Sequence, residues 1–157
     1  MQVTLTKLVP ATPEVAFDMW LNADSLRRWM CPGDTRVSFA ELNPTIGGAF
    51  RIDMQTSDGH VLVHAGEYIE IRRPEKLVFS WLLPFGGGDS RVSVEFRAKD
   101  GGCLIVLQHE LLSNDVALEA HRAGWTDILD KFAQQGGKHG NPQDRPVSGE
   151  AGGGGKV

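Results

Sequence analysis

His121-Arg122-Ala123-Gly124-Trp125-Thr126-Asp127-Ile128-Leu129 lies in a segment whose stripe residues recur at positions 118, 121, 125, 128 and 132. That spacing is one face of an α-helix. A broad indole on the face, beside a glycine that lets the backbone sit close to whatever it covers, predicts a helix laid as a lid across a curved sheet with a partly unfilled interior. Ser113 or Asn114 is placed to cap this helix, and Asp115 suits the positive end of its dipole. Gly136-Gly137 predicts its stop.

Upstream, from Thr35 to about Leu112, runs of β-forming residues alternate with turn residues. The runs are 35–42, 48–56, 60–71, 76–83, 90–98 and 103–112. Asn43-Pro44, Asp58-Gly59, Arg73-Pro74, Gly86-Gly87-Gly88 and Asp100-Gly101-Gly102 separate them, which is the pattern of an antiparallel meander. Asp58-Gly59 is the clearest hairpin signal, and the triple glycine reads as a mobile rim at the mouth of the interior.

Ahead of the meander, Val3 to Val9 is rich in β-branched residues and reads as a first strand. Thr12-Pro13-Glu14 then supplies a cap, a proline at the first helical position and a first-turn acid, so a helix runs through Phe17 and Trp20 to about Asn22. A second short helix follows, with Asp24 or Ser25 as cap, Leu26 and Trp29 on its apolar side, and Pro32-Gly33 ending it. Lys138 to Val157 holds glycine, proline and charge with too little apolar surface to offset its ordering entropy. The organisation expected is one domain over 1–136 and a disordered Gly-rich tail over 137–157.

The chain's 157 residues, 41% hydrophobic and 23% charged, suit a single domain with a sizeable core. A net charge of −4 and a pI near 5.7 lack the basic excess that phosphate neutralisation needs, so nucleic acid is not an expected partner. The N-terminus has no basic region followed by an apolar run, and no apolar stretch reaches membrane length. A cytoplasmic protein without a membrane partner is the expectation. Cys31 and Cys103 lack Cys-x-x-Cys spacing, which favours reduced thiols.

Strand, two helices, six strands and a long helix is the order of the helix-grip (START-like, birch-pollen-allergen-like) fold, an α+β architecture. Four sequence words sharpen the likeness: Ile46-Gly47-Gly48-Ala49-Phe50, Gly66-Glu67-Tyr68-Ile69-Glu70-Ile71, Arg73-Pro74-Glu75-Lys76-Leu77-Val78-Phe79-Ser80-Trp81, and His121 to Leu129. In that order they resemble the SRPBCC-type domain of the activator-of-heat-shock-protein-90-ATPase homologue family, over residues 1 to about 134. The resemblance implies a curved antiparallel sheet wrapped around a long C-terminal helix, two short helices after the first strand, and a cavity between sheet and C-terminal helix. Members of the family range from ligand carriers to cyclases. The co-chaperone that names the family has an additional N-terminal domain with no counterpart here, so direct chaperone activation is not expected.

Within such a fold, aromatics on the concave face of the sheet and on the last helix become pocket walls. The candidate ligand-binding residues are Trp29, Phe39, Phe50, Tyr68, Trp81, His109, His121 and Trp125. His121 lies in the helical stripe and His109 is in phase with Ile105, Leu107 and Leu111, so both imidazoles face the interior. Each reads either as a core histidine satisfied by one hydrogen bond or as a group that orients a ligand or moves a proton. Glu67, in phase with Val63, Ala65 and Ile69, is the third acid-base candidate, an interior carboxyl with a raised pKa. Arg51 and Asp53 alternate with Phe50, Ile52 and Met54 and so face solvent.

Other chemistry finds little support. His60 and His64 share a strand face, but no spacing supplies the three or four ligands a metal needs. Gly47-Gly48 and Gly86-Gly87-Gly88 lack the residues of a phosphate cradle and read as turns, and no Gly-x-Ser-x-Gly is present. No cofactor is expected. Three functions remain: a module binding a small hydrophobic or aromatic molecule, a cyclase or hydratase-like enzyme using His109, His121 or Glu67, and a protein-interaction or chaperone-associated domain. A homodimer is compatible with each.

Overall fold

The computed structural model describes residues 1–82, 89–112 and 114–140, with side chains as far as 137. Seven strands, β1 (Gln2–Val9), β2 (Arg36–Leu42), β3 (Ala49–Gln55), β4 (Val61–Arg72), β5 (Lys76–Leu82), β6 (Asp89–Lys99) and β7 (Gly102–Glu110), form one antiparallel sheet. Its order is β1-β7-β6-β5-β4-β3-β2. The meander therefore runs from β2 to β7, and β1 closes it by pairing along β7. Helices α1 (Pro13–Trp20) and α2 (Ala23–Trp29) bridge β1 to β2, and α3 (Asp115–Gly140) follows β7.

Local chemistry sets the helix starts. The Thr12 hydroxyl accepts from the Val15 amide at 3.2 Å, with Pro13 at the first helical position. Asn22, rather than Asp24 or Ser25, caps α2, accepting from the Ser25 amide at 2.9 Å. The Asn114 carboxamide does the same for the Ala117 amide of α3 at 2.8 Å; Ser113 lies outside the described residues. Each cap satisfies an amide that has no partner within its own helix.

Helix α3 does not stop at Gly136-Gly137 but continues to Gly140. Gly136 has a packing role instead: a Cβ there would sit 2.5 Å from Val9 Cγ1, so its absence lets α3 lie close on β1. Gly124, expected at the close approach, would meet Pro32 at an ordinary 3.8 Å. The tail beyond Gly140 and the Gly86-Gly87-Gly88 rim lie outside the described residues.

The core lies between the concave face of the sheet and the helices. Trp125, Ile128, Leu129 and Phe132 fill the α3 side, Phe17 and Trp20 the α1 side, and Phe50, Ile52, Phe79, Trp81, Val94 and Ile105 the sheet side, all buried. Among the described residues no helix is long and apolar enough to cross a membrane.

Candidate functional site, an aromatic interior cavity

A cavity opens within this core, and its roof comes from α1 and α2 rather than from α3. Trp20, Leu26 and the α2 cap residue Met30 line the helical side; Phe50, Ile52, Tyr68, Leu77, Phe79 and Trp81 line the sheet side. Its volume is about 20 Å³, room for one water molecule. The α3 stripe contributes no wall because Trp125, Ile128, Leu129 and Phe132 pack directly into the core.

Strand chemistry explains the sheet wall. Gly66 pairs with Phe50, and a Cβ on it would lie 2.7 Å from the Phe50 ring and 2.0 Å from the Ser80 carbonyl oxygen. This glycine clears the space in which Phe50 meets Tyr68 (5.4 Å between centroids), Phe79 (5.6 Å) and Trp81 (6.1 Å). Tilted and edge-on rings at such separations attract one another beyond the burial of their area.

Of the eight expected ligand-binding residues, the structure brings Phe50, Tyr68 and Trp81 to the cavity. Trp29 is fully buried behind it, edge-on to Trp20 (4.8 Å) and Phe132 (4.6 Å), with its Nε1–H donating to Ser25 Oγ at 3.0 Å. Phe39 is on the opposite face. A register shift between Val37 and Phe39 flips the alternation of β2, so Val37 and Ala40 point inward while Phe39 is 39% exposed beneath the Arg51 guanidinium, 5.4 Å away.

Trp125, His109 and His121 form a second layer beside the cavity, the first two fully buried. The Trp125 Nε1–H donates to His109 Nδ1 at 3.0 Å, which leaves the imidazole proton on Nε2. That Nε2–H meets Ser90 Oγ at 2.6 Å, and the Ser90 hydroxyl donates to the Trp81 carbonyl at 2.7 Å. Burial, with His121 as a smaller cause, pushes the His109 pKa down to about 3. His121 is half-buried and edge-on to His109 at 4.8 Å, and its Nδ1–H donates to the Ala117 carbonyl at 2.7 Å. Both imidazoles share one interior, as their phases predict. His109 nevertheless has neither a lone pair nor a proton left for a substrate.

Glu67 corrects the third acid-base candidate. Its phase-mates are as expected, but their face is convex: Val63 is 39% and Ile69 43% exposed, and Glu67 itself is exposed. The interior face of β4 carries His64 and Tyr68 instead. Asp53, expected in solvent, points away from the cavity yet is 6% exposed, because Arg51 covers it with bonds of 2.9 and 3.0 Å. His60 is exposed beside Asp58 in the β3–β4 turn, apart from buried His64. Burial raises the Cys103 thiol to about 11, away from nucleophilic use.

Sequence reasoning missed three residues here. Trp20 roofs the cavity, and its buried Nε1–H finds no acceptor among the described residues. His64, 9% exposed, packs tilted against Trp81 at 5.0 Å with Nδ1 equally unpartnered, and burial holds its pKa down to about 4. Ser90 joins His109 to the strand backbone. The available signals were alternation, which puts Ser90 in phase with Val92, Val94 and Phe96 and His64 in phase with Tyr68, and the i, i+3 spacing of Phe17 and Trp20.

The family model described as activator of Hsp90 ATPase homolog 1-like protein matches residues 10–136. Among solved structures, a protein from Chromobacterium violaceum superposes with a TM-score of 0.81 at 19% identity, covering 87% of this chain and 96% of its own. An AHSA1 protein from Silicibacter pomeroyi gives 0.77 at 23% identity, covering 86% and 96%. An AHSA1-like protein from Aeromonas hydrophila gives 0.71 at 22% identity, covering 85% and 90%. At these identities the likeness establishes the fold. No functionally curated protein matches the chain.

Proposed function

We propose, for a chain that belongs to the activator of Hsp90 ATPase homolog 1-like family, that its domain acts in the cytoplasm by binding a small hydrophobic molecule in the cavity under α1 and α2. The observation that carries this reading is a wall of four aromatic rings, Phe50, Tyr68, Phe79 and Trp81, roofed by Trp20. Such walls suit apolar and aromatic ligands. The present volume admits one water, so binding requires the roof to lift. Two features favour that motion: Met30, whose unbranched thioether repacks readily, and the exposed Arg73–Asp18 pair that ties α1 to the sheet side at 2.8 Å. Exposed pairs of this kind hold only weakly, because solvent screens them. A second conformer of the roof, populated by ligand, is population shift in its ordinary sense.

Calorimetric titration of the full chain with naphthalene tests the proposal. The wild type should bind, and Met30→Trp, which fills the roof side, should bind at least tenfold more weakly while remaining folded by circular dichroism. Equal binding by both proteins would place the ligand elsewhere.

A second reading has its own observation. On the convex face, Phe39, Asp53 and Val63 are register neighbours, as are Arg51, Ala65 and Leu82. Phe39, Val63 and Leu82 expose 39%, 39% and 48% of their surface. Apolar side chains clustered around an ion pair suit docking to a protein, which in this family would be a chaperone ATPase. The double variant Val63→Glu, Leu82→Glu should abolish any stimulation of an Hsp90-type ATPase and leave naphthalene binding unchanged. Stimulation by the variant equal to that of the wild type would exclude this face.

A further inference from the structure

We propose, resting on the interior-site reading above, that the cavity selects an uncharged, ring-bearing molecule carrying a hydrogen-bond acceptor, with Trp20 Nε1–H and the Tyr68 hydroxyl as its donors. Two other buried indoles have their donors occupied: Trp29 by Ser25 Oγ and Trp125 by His109 Nδ1. Trp20 is just as buried, at 3% exposure, and borders the cavity, yet its N–H has no acceptor among the described residues. A buried donor left without a partner loses its hydration and regains nothing, so native structures seldom retain one without a use.

Tyr68 belongs to the same cavity wall at 4% exposure. Burial alone raises its pKa, so the phenol stays protonated and remains a donor. Two donors carried by residues that line an aromatic cavity call for an oxygen acceptor, such as a carbonyl, on a flat apolar body.

Charge is excluded by what is absent from the wall. The nine lining residues include no carboxylate, ammonium or guanidinium. His64, tilted against Trp81, and His109 are both neutral at physiological pH. A carboxylate or amine entering here would be stripped of water with no counter-charge.

The test uses the full chain labelled at its indole nitrogens, which gives one Nε1–H signal for each of four tryptophans. The Trp20 signal is identified by its loss in Trp20→Phe. Three probes of matched size are titrated: 1-acetylnaphthalene, 1-ethylnaphthalene and 1-naphthoate. The ketone should bind about five- to tenfold tighter than the hydrocarbon, the worth of one net hydrogen bond, and should move the Trp20 signal downfield. Naphthoate should bind more weakly than either.

Trp20→Phe and Tyr68→Phe should each reduce the ketone's advantage while keeping hydrocarbon binding. The wild-type comparison of ketone and hydrocarbon affinities stands even if Trp20→Phe does not fold. Equal ketone and hydrocarbon affinities with every indole signal at the same shift would overturn the proposal and leave the interior site intact; that is the outcome if an ordered water alone serves Trp20. Tighter naphthoate binding would overturn the neutral-ligand assignment. No binding of any probe would overturn both this proposal and the interior site.

Discussion

His109 holds an indole and a hydroxyl in place without carrying charge, and that has a measurable consequence. Its pKa in the folded protein is about 3 and that of His64 about 4, whereas an unfolded histidine titrates near 6.5. Between these values the unfolded chain binds more protons, so stability falls as pH drops from about 6.5 towards about 4 for His64 and about 3 for His109. The slope is up to about 1.4 kcal/mol per pH unit for each imidazole. Urea denaturation at pH 7, 6 and 5 should show this decline, and His64→Phe should remove roughly half of it. A flat profile over that range would contradict the burial of both rings. The inward direction of His109 was legible from its phase with Ile105 and Leu107; its bond to Trp125 was not, because the partner is on another element. Phe39 was illegible for a different reason, since a one-residue bulge reverses every later side chain of its strand.

At the scale of elements, α3 shows how a glycine's meaning depends on what faces it. The sequence places Gly124 in the lid helix and Gly136-Gly137 where a helix would end, and both positions suit glycine on local grounds. In the fold the requirement falls on Gly136, against Val9. Gly124→Ala should stabilise the domain by about 0.5–1 kcal/mol, because alanine is the better helix former and the new methyl meets Pro32 at van der Waals distance. Gly136→Ala gains the same propensity but drives a methyl into Val9, and should destabilise by about 1–3 kcal/mol. Chemical denaturation of the two variants side by side checks the pair; the same sign for both would mean that α3 does not lie on β1 as described. Strand positions were legible to within a residue or two because alternation and turn residues are local. Helix ends that depend on a distant strand were not.

For the whole molecule, element order was enough to name the architecture, since a meander preceded by strand and two helices and followed by a long helix leaves few ways to bury the apolar faces. Which helix roofs the cavity was beyond the sequence, because α1, α2 and α3 all carry buried aromatic residues and long-range packing chooses among them. The choice falls on α1 and α2, through Trp20, Leu26 and Met30, while Trp125 packs solidly against His109 and Trp81. Methyl-labelled methionine reads this directly, because the four methionines sample different places: Met30 lines the cavity, Met19 and Met54 are buried near it, and Met1 is 60% exposed. On titration with naphthalene the Met30 methyl should shift most, upfield under the ring current of the bound molecule, with Met1 unmoved. A saturable shift confined to Met1, or none at any methionine, would contradict a ligand site beneath α1 and α2.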